Sequence, residues 1–518
     1  MSRQNVSATP SSNPGSSGKT TAAASAPIAL SGTTAAPAAS AAPRRALALD
    51  ALRGIAILGM CLSGVIPWNT LPAWMYHAQT PPPARTFAPD VPGISWVDLV
   101  FPYFLFALGA AIPLALSRRL DKARSPWKLV PTIIERTALL LGFAFFYQAI
   151  RPWDLNPNPT TLTWIIALLG FGLLFLMFMR FPDSWSEELR DSLRAAGWIL
   201  AAFFLALYTY PDGSGFSIHR SDIIIVLLAW GYFGGALIWL FTRNKPLVRL
   251  GVLVLFFGLR LASTAPGWVK TFWEGSPCPW LFAVGFFGYL CIVVPATLVG
   301  DSLLKWMNRK EEDAVPKAAP AEPSLISWTR GRLLAIAGLM MVFQVVLLTG
   351  LFGRWVFATT LVAAALGWCG WRLVAHPATA TEKWLKQLYL WGFYWLLLGL
   401  FLEPYEGGIK KDWATTSYFF TTTGMAIFLL IALIIVIDIL RASRGLMWIV
   451  QTGQNPMIAY AGIQNLVLAV VFILGINQVA EKLIEGKPWV GFLYGCLLTG
   501  LLGAAVSAFT RKKIFWRT

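Results

Sequence analysis

The feature that most constrains this chain is a recurrence. From Arg45 to the C-terminus, apolar stretches of about twenty residues, the length that crosses a hydrocarbon core of about 30 Å, return again and again between short polar connectors. Inside a bilayer the backbone has no water to bond, so such stretches must close their own hydrogen bonds as helices. About fourteen runs can be counted, centred on 49–68, 96–117, 130–150, 161–179, 195–210, 222–242, 247–264, 281–300, 332–352, 355–374, 386–402, 417–438, 455–475 and 490–509. The expected fold class is all-α, a polytopic integral membrane helix bundle of about 12 to 14 transmembrane helices. The lower number applies if the Gly353-Arg354 hairpin or the Arg243 to Pro246 connector fails to separate two spans. With 13% of its residues charged, against about a quarter in soluble domains, the chain is no soluble globular enzyme.

The net charge of +17 is dispersed as small Lys/Arg groups between the runs, which argues against a nucleic-acid partner and for the positive-inside pattern. With the N-terminus placed inside, 26 of the 42 Lys and Arg fall in cytoplasmic segments, 9 in external ones and 7 within runs. Both termini are therefore expected in the cytoplasm. Residues 1–43, of which 34 are Ala, Ser, Thr, Pro or Gly, read as a disordered cytoplasmic tail. Residues 44–300 read as an N-terminal transmembrane half, 301–331 as a cytoplasmic linker with a mixed-charge run, and 332–518 as a C-terminal half. The five cysteines show no paired spacing, so neither a disulfide framework nor a metal site is expected.

Ionisable groups are expensive in a membrane, so each one within or beside a run is a candidate for chemistry. Asp50 and Arg53 share a face of the first helix, where they can pair with each other or offer Arg53 to a phosphate; a snorkelling interfacial ion pair is the plain alternative. His77 lies in an external connector rich in Trp, Tyr and Pro, and an imidazole is the best general base available there. Asp98 follows closely and would hold that imidazole in one tautomer, or else serve as a helix N-terminal acid capped through Ser95. Asn455, in Gly453-Gln454-Asn455-Pro456, opens an apolar run with an amide. His219 and His376 read as surface residues. The chain has no phosphate-cradling glycine loop, no nucleophile elbow and no His-Glu-x-x-His.

Leu49-Asp50-Ala51-Leu52-Arg53-Gly54, the His77 loop and the run from Trp96-Val97-Asp98 to Phe106 together resemble the opening of the heparan-alpha-glucosaminide N-acetyltransferase family and its bacterial relatives. Lys411-Asp412-Trp413 with Thr423-Gly424, followed by the Asn455 motif, is similar to that family's C-terminal region. The resemblance implies a transmembrane acyltransferase in a bacterial cytoplasmic (inner) membrane. It would take an acetyl group from cytosolic acetyl-CoA, as co-substrate and without a metal, to an amino sugar or related glycan acceptor on the far side. His77 would be the family's active-site histidine, acting as general base or as transient carrier of the acyl group, with Asp98 orienting it and Asn69 or Asn455 donating to the oxyanion. Arg53 and Asp50 would bind the acyl-CoA, and Gln79, Trp413 and Asn455 the substrate. The expected partners are acyl-CoA, the sugar acceptor and the lipid bilayer, with a homo-oligomer left open. A sugar or solute permease, or a non-catalytic membrane sensor, is the rival reading; the lack of an internal repeat weighs against the permease.

Overall fold

The computed structural model describes residues 46–312 and 326–516; the tail assigned to 1–43 lies outside the described residues. Each of the fourteen apolar runs forms a helix: α1 (Leu47–Ser63), α2 (Trp96–Ala123), α3 (Val130–Ala149), α4 (Thr161–Phe178), α5 (Glu187–Leu207), α6 (Ile223–Thr242), α7 (Pro246–Ala262), α8 (Leu290–Glu312), α9 (Arg330–Phe352), α10 (Val356–Leu373), α11 (Ala380–Phe401), α12 (Thr416–Leu433), α13 (Pro456–Gly462) and α14 (Pro488–Arg511). Among the described residues no extended strand occurs, only an isolated bridge between Met179 and Trp516. The protein is an all-α, multi-pass membrane bundle.

Ten of these helical segments are long and apolar enough to cross a membrane. The other four differ from that pattern for simple reasons. α1 and α7 have 17 residues each, α5 begins with a charged turn through Arg190, Asp191 and Arg194, and α11 is diluted by Lys386, Gln387 and its Trp and Tyr residues.

Two boundaries differ from the sequence reading. α8 continues past residue 300 to Glu312, and Arg249 and Trp239 bond the Asp301 carboxylate, so the start of the expected linker is helix. The described residues also form one compact unit, with α1 packed on α12 and on the short helix Met447–Gln454, so the two expected halves interlock. Burial orders the bundle: 94% of the apolar window of α12 is buried, 78% of that of α2, and 22% of that of α10. α12 and α2 therefore form the core, and α10 leaves most of its surface for lipid.

Proline and glycine set how the core helices meet. Pro102 within α2 has no N–H to give the Asp98 carbonyl. The Tyr418 hydroxyl, from α12, donates to that oxygen instead at 2.6 Å, so the gap in one helix is filled by the other. Midway along α1, Gly54 and Gly453 bring two backbones into direct contact. A methyl group on Gly453 would overlap the Asp50 carbonyl oxygen, and one on Gly54 the Ile449 carbonyl oxygen. α12 and α13 each run on into a turn of π-helix, Ile434–Ile439 and Ile463–Leu468.

Candidate active site

The loop from 64 to 95 is tied down by its own polar groups. The Tyr76 hydroxyl accepts from the Leu71 N–H at 3.0 Å and donates to the Pro67 carbonyl, while Arg85 lies over the Tyr76 ring at 4.5 Å. Arg85 also donates to Asn69 Oδ1 at 3.2 Å and to the Leu71 carbonyl at 3.1 Å. Gln79 is fully buried, and its amide donates to the carbonyls of Val91 and Gly93. Asn69 and Gln79, expected at the chemistry, are thus braces of the loop that carries it. Asn69 Oδ1 faces Arg85 and the Gln79 NH2 faces backbone, while Gln79 Oε1 is buried with no hydrogen-bond partner among the described residues.

What this scaffold presents is His77. Its Nδ1–H donates to Asp98 Oδ1 at 2.6 Å, since an ionised carboxylate can only accept. The other oxygen of Asp98 accepts from the N–H of Ala78 at 3.1 Å, the N–H of Ser95 at 2.9 Å and the Ser95 hydroxyl at 3.2 Å. Asp98 is therefore both the N-terminal box of α2 and the orienting partner of His77. The two roles weighed as alternatives coincide, because the two oxygens serve different donors. With Asp98 fully buried and bonded, the ring is fixed and Nε2 is left as its basic nitrogen.

The 402–415 loop adds a group that sequence reasoning missed. Lys411 Nζ lies 3.3 Å from Nδ1 and 3.4 Å from Nε2 of His77. A point nearly equidistant from both nitrogens in the ring plane would collide with Cε1, so the ammonium sits over the ring face and Nε2 keeps its in-plane lone pair. The loop is brought there by the Gly93 N–H donating to the Ile409 carbonyl at 2.7 Å and by Arg260, which pairs with Glu406 at 2.8 Å. His77 opens into a cleft of about 370 Å³ shared with Thr80, Pro82, Phe352 and Arg354. Among the described residues the side chains that approach the His77 ring nitrogens are Asp98 and Lys411, with no Ser, Thr or Cys hydroxyl or thiol bonded there. Trp413, expected to bind substrate, is 77% exposed and does not line this cleft.

Arg53, Asp50 and Asn455 gather at a second place. Arg53 donates to Asp50 Oδ1 at 3.2 Å, to the Gly453 carbonyl at 3.1 Å and to the Ala107 carbonyl at 3.5 Å. Asp50 also accepts from Gln454 at 3.2 Å. Ala107 is nine residues along α2 from Asp98, roughly 14 Å at 1.5 Å per residue. Asn455 cannot serve an oxyanion at His77: it lies at this other end, and its amide donates to Thr510 Oγ1 and the Ile514 carbonyl, each at 2.8 Å. Arg53, Gln454 and Asn455 line a cavity of about 230 Å³. A constriction of about 10 Å³ continues it, sharing Phe104, Leu228 and Met457 and ending at Phe101, one helical turn from Asp98. No group of three or more His, Cys, Asp or Glu suited to a metal occurs among the described residues.

A multi-pass helical membrane protein with a buried Asp orienting an accessible His is the class these observations define. The chain belongs to the family of a domain of unknown function (DUF5009), whose family model matches residues 45–303. That segment contains Asp50, Arg53, His77 and Asp98; Lys411, Trp413 and Asn455 lie beyond it. No curated protein matches the sequence.

Proposed function

We propose that this protein is a membrane acyltransferase that moves an acetyl or other acyl group from cytosolic acyl-CoA to an amino sugar or related glycan acceptor on the opposite side of the membrane. The observation that carries the reading is the His77–Asp98 bond of 2.6 Å, with Asp98 fully buried and Nε2 turned away from it. This is the arrangement of a general base whose tautomer is fixed from behind. The resemblance of the flanking motifs to the heparan-alpha-glucosaminide N-acetyltransferase family supports the same chemistry.

In this reading Nε2 takes the proton of the acceptor amine or hydroxyl as its electron pair attacks the thioester carbonyl. The C–S bond breaks, the acyl group stays on the acceptor, and the proton held at Nε2 passes to the departing thiolate. In the same reading Lys411, whose ammonium is 3.4 Å from Nε2, supplies the positive charge for the carbonyl oxygen, the role expected of Asn69 or Asn455. The cavity at Arg53 and its constriction toward Phe101 offer the donor a route of approach from the other face, with both termini on the cytoplasmic side.

The test is release of free CoA from acetyl-CoA by purified protein with a panel of amino sugars, wild type against His77→Ala. Release that requires an acceptor and falls by about 10²- to 10⁴-fold in the variant is expected. Equal release from folded His77→Ala protein rejects the assignment; no release from either, with solute uptake into proteoliposomes, makes the protein a permease.

A further inference from the structure

α5 is thinly attached to the bundle: of its residues only Gly197 and Ala201 are buried. It meets α4 closely at Gly197, where a methyl group would come within 2.7 Å of Leu176 Cβ, and Trp198 beside it packs edge-on against Phe178. A second join lies just past the other end of α5, where the Tyr208 hydroxyl donates to the Leu155 carbonyl at 3.1 Å. Between the two joins is a groove of about 450 Å³, walled by Leu169 and Leu173 of α4 and by Leu200, Phe203 and Phe204 of α5, with Tyr208 closing one end.

This groove opens to hydrocarbon. α4 is long and apolar enough to cross a membrane, and Leu169, Leu200, Phe203 and Leu207 are exposed. A gap along such a wall forfeits dispersion contacts that a chain of methylenes restores. From Leu200 to Tyr208 the groove follows roughly 12 Å of helix, against about 15 Å for one leaflet's share of a 30 Å core. That length takes one acyl chain from one leaflet, not a chain that crosses both. Because α2, α3 and α4 run in alternating directions as spanning helices, the Tyr208 end lies on the same side as the His77 loop.

Polar groups gather at that end, at the depth of the lipid headgroups. The Tyr208 and Tyr210 rings meet edge-on at 5.0 Å, and the Arg220 guanidinium lies over the Tyr210 ring at 3.9 Å. Arg220 donates to Asp212 Oδ2 at 3.1 Å and to Ser214 Oγ at 2.8 Å, and Asp212 stays exposed. A cation beside an exposed carboxylate complements a headgroup that carries both signs, a phosphate and an ammonium. We infer that the groove holds one acyl chain of an aminophospholipid, with its phosphate toward Arg220 and its ammonium toward Asp212. An ammonium donates N–H groups to a carboxylate, where a trimethylated amine has none to give and a glycerol headgroup brings no charge. The lipid supplies to α5 the packing that its own residues leave incomplete. The inference is independent of any chemistry at His77.

The full chain, purified in mild detergent, is incubated with equal amounts of phosphatidylethanolamine, phosphatidylcholine and phosphatidylglycerol, and the lipid that stays bound is read by native mass spectrometry. Phosphatidylethanolamine should be retained about threefold or more over the other two. Leu200→Trp fills the groove with an indole and should cut that retention about fivefold or more; Leu173→Phe, on the opposite wall, carries the same test if Leu200→Trp does not fold. Asp212→Asn, at an exposed position, should leave total retention within about twofold and bring the ratio of phosphatidylethanolamine to phosphatidylcholine close to even. Added phosphatidylethanolamine should raise the thermal unfolding midpoint of the wild type and not that of Leu200→Trp. Equal retention of the three lipids by the wild type, retention that both substitutions leave unchanged, or no retention by protein with a cooperative thermal transition overturns the inference.

Discussion

The two ends of α2 solve the problem of a polar group in a membrane protein in different ways. At the His77 end, loops from distant parts of the chain converge, and the central charge, Asp98, has a donor for every direction it faces. At the Arg53 end, helix faces close around glycine contacts, and Arg136 is left without an acceptor. At the first end every oxygen of the central carboxylate is bonded and the ring it faces is held in place; at the second, Arg136 rests on the Tyr232 ring, and its Nε has no hydrogen-bond partner among the described residues.

The contrast can be broken at several points. Asp98→Ala should have the largest effect: it strips the acceptor from His77, Ala78 and Ser95 at once, lowering unfolding free energy by about 3–5 kcal/mol and bringing CoA release down to the level of His77→Ala. Chemical unfolding and turnover, measured on the same sample, check both halves. Next is Lys411→Met. If the ammonium acts on developing charge, turnover falls about 100-fold while stability stays within about 0.5 kcal/mol; a large stability loss with intact turnover would make Lys411 a brace. At the other end, Gly453→Ala drives a methyl into the Asp50 carbonyl and should destabilise by about 1–3 kcal/mol, read as a lower thermal midpoint.

Two smaller effects sharpen the comparison. Tyr418→Phe removes the hydroxyl from the Asp98 carbonyl and leaves that buried oxygen without a donor, at about 1–2 kcal/mol in chemical unfolding. Trp413→Ala should change stability by less than about 0.5 kcal/mol and turnover by less than about threefold, because the ring is 77% exposed and apart from the cleft; a larger loss of turnover would restore it as a substrate contact.

How legible each part was follows from sequence distance. Every apolar run became a helix because a bilayer leaves the backbone no alternative. His77 and Asp98 could be paired on paper because one short, stiff connector separates them. Lys411 could not: it is 334 residues from His77, and the docking of the 402–415 loop on Gly93 and Arg260 brings it near. Its one sequence signal is the Lys410-Lys411 pair, in a class of segment that holds 9 of the 42 Lys and Arg. Asn455 was assigned to the wrong end because an amide opening a helix says nothing about which neighbours meet it. The π-helical turns and the extension of α8 through Asp301 were equally invisible, since both depend on partners across the bundle.

The hydroxyl that Tyr418 lends to α2 makes the two sides of the 313–325 segment complementary fragments. The portion matched by the family model contains the His77–Asp98 pair but lacks the donor that completes its helix and the ammonium that faces its ring. Co-expressed as 1–312 and 326–518, the two fragments should therefore co-purify, and Tyr418→Phe should weaken that association.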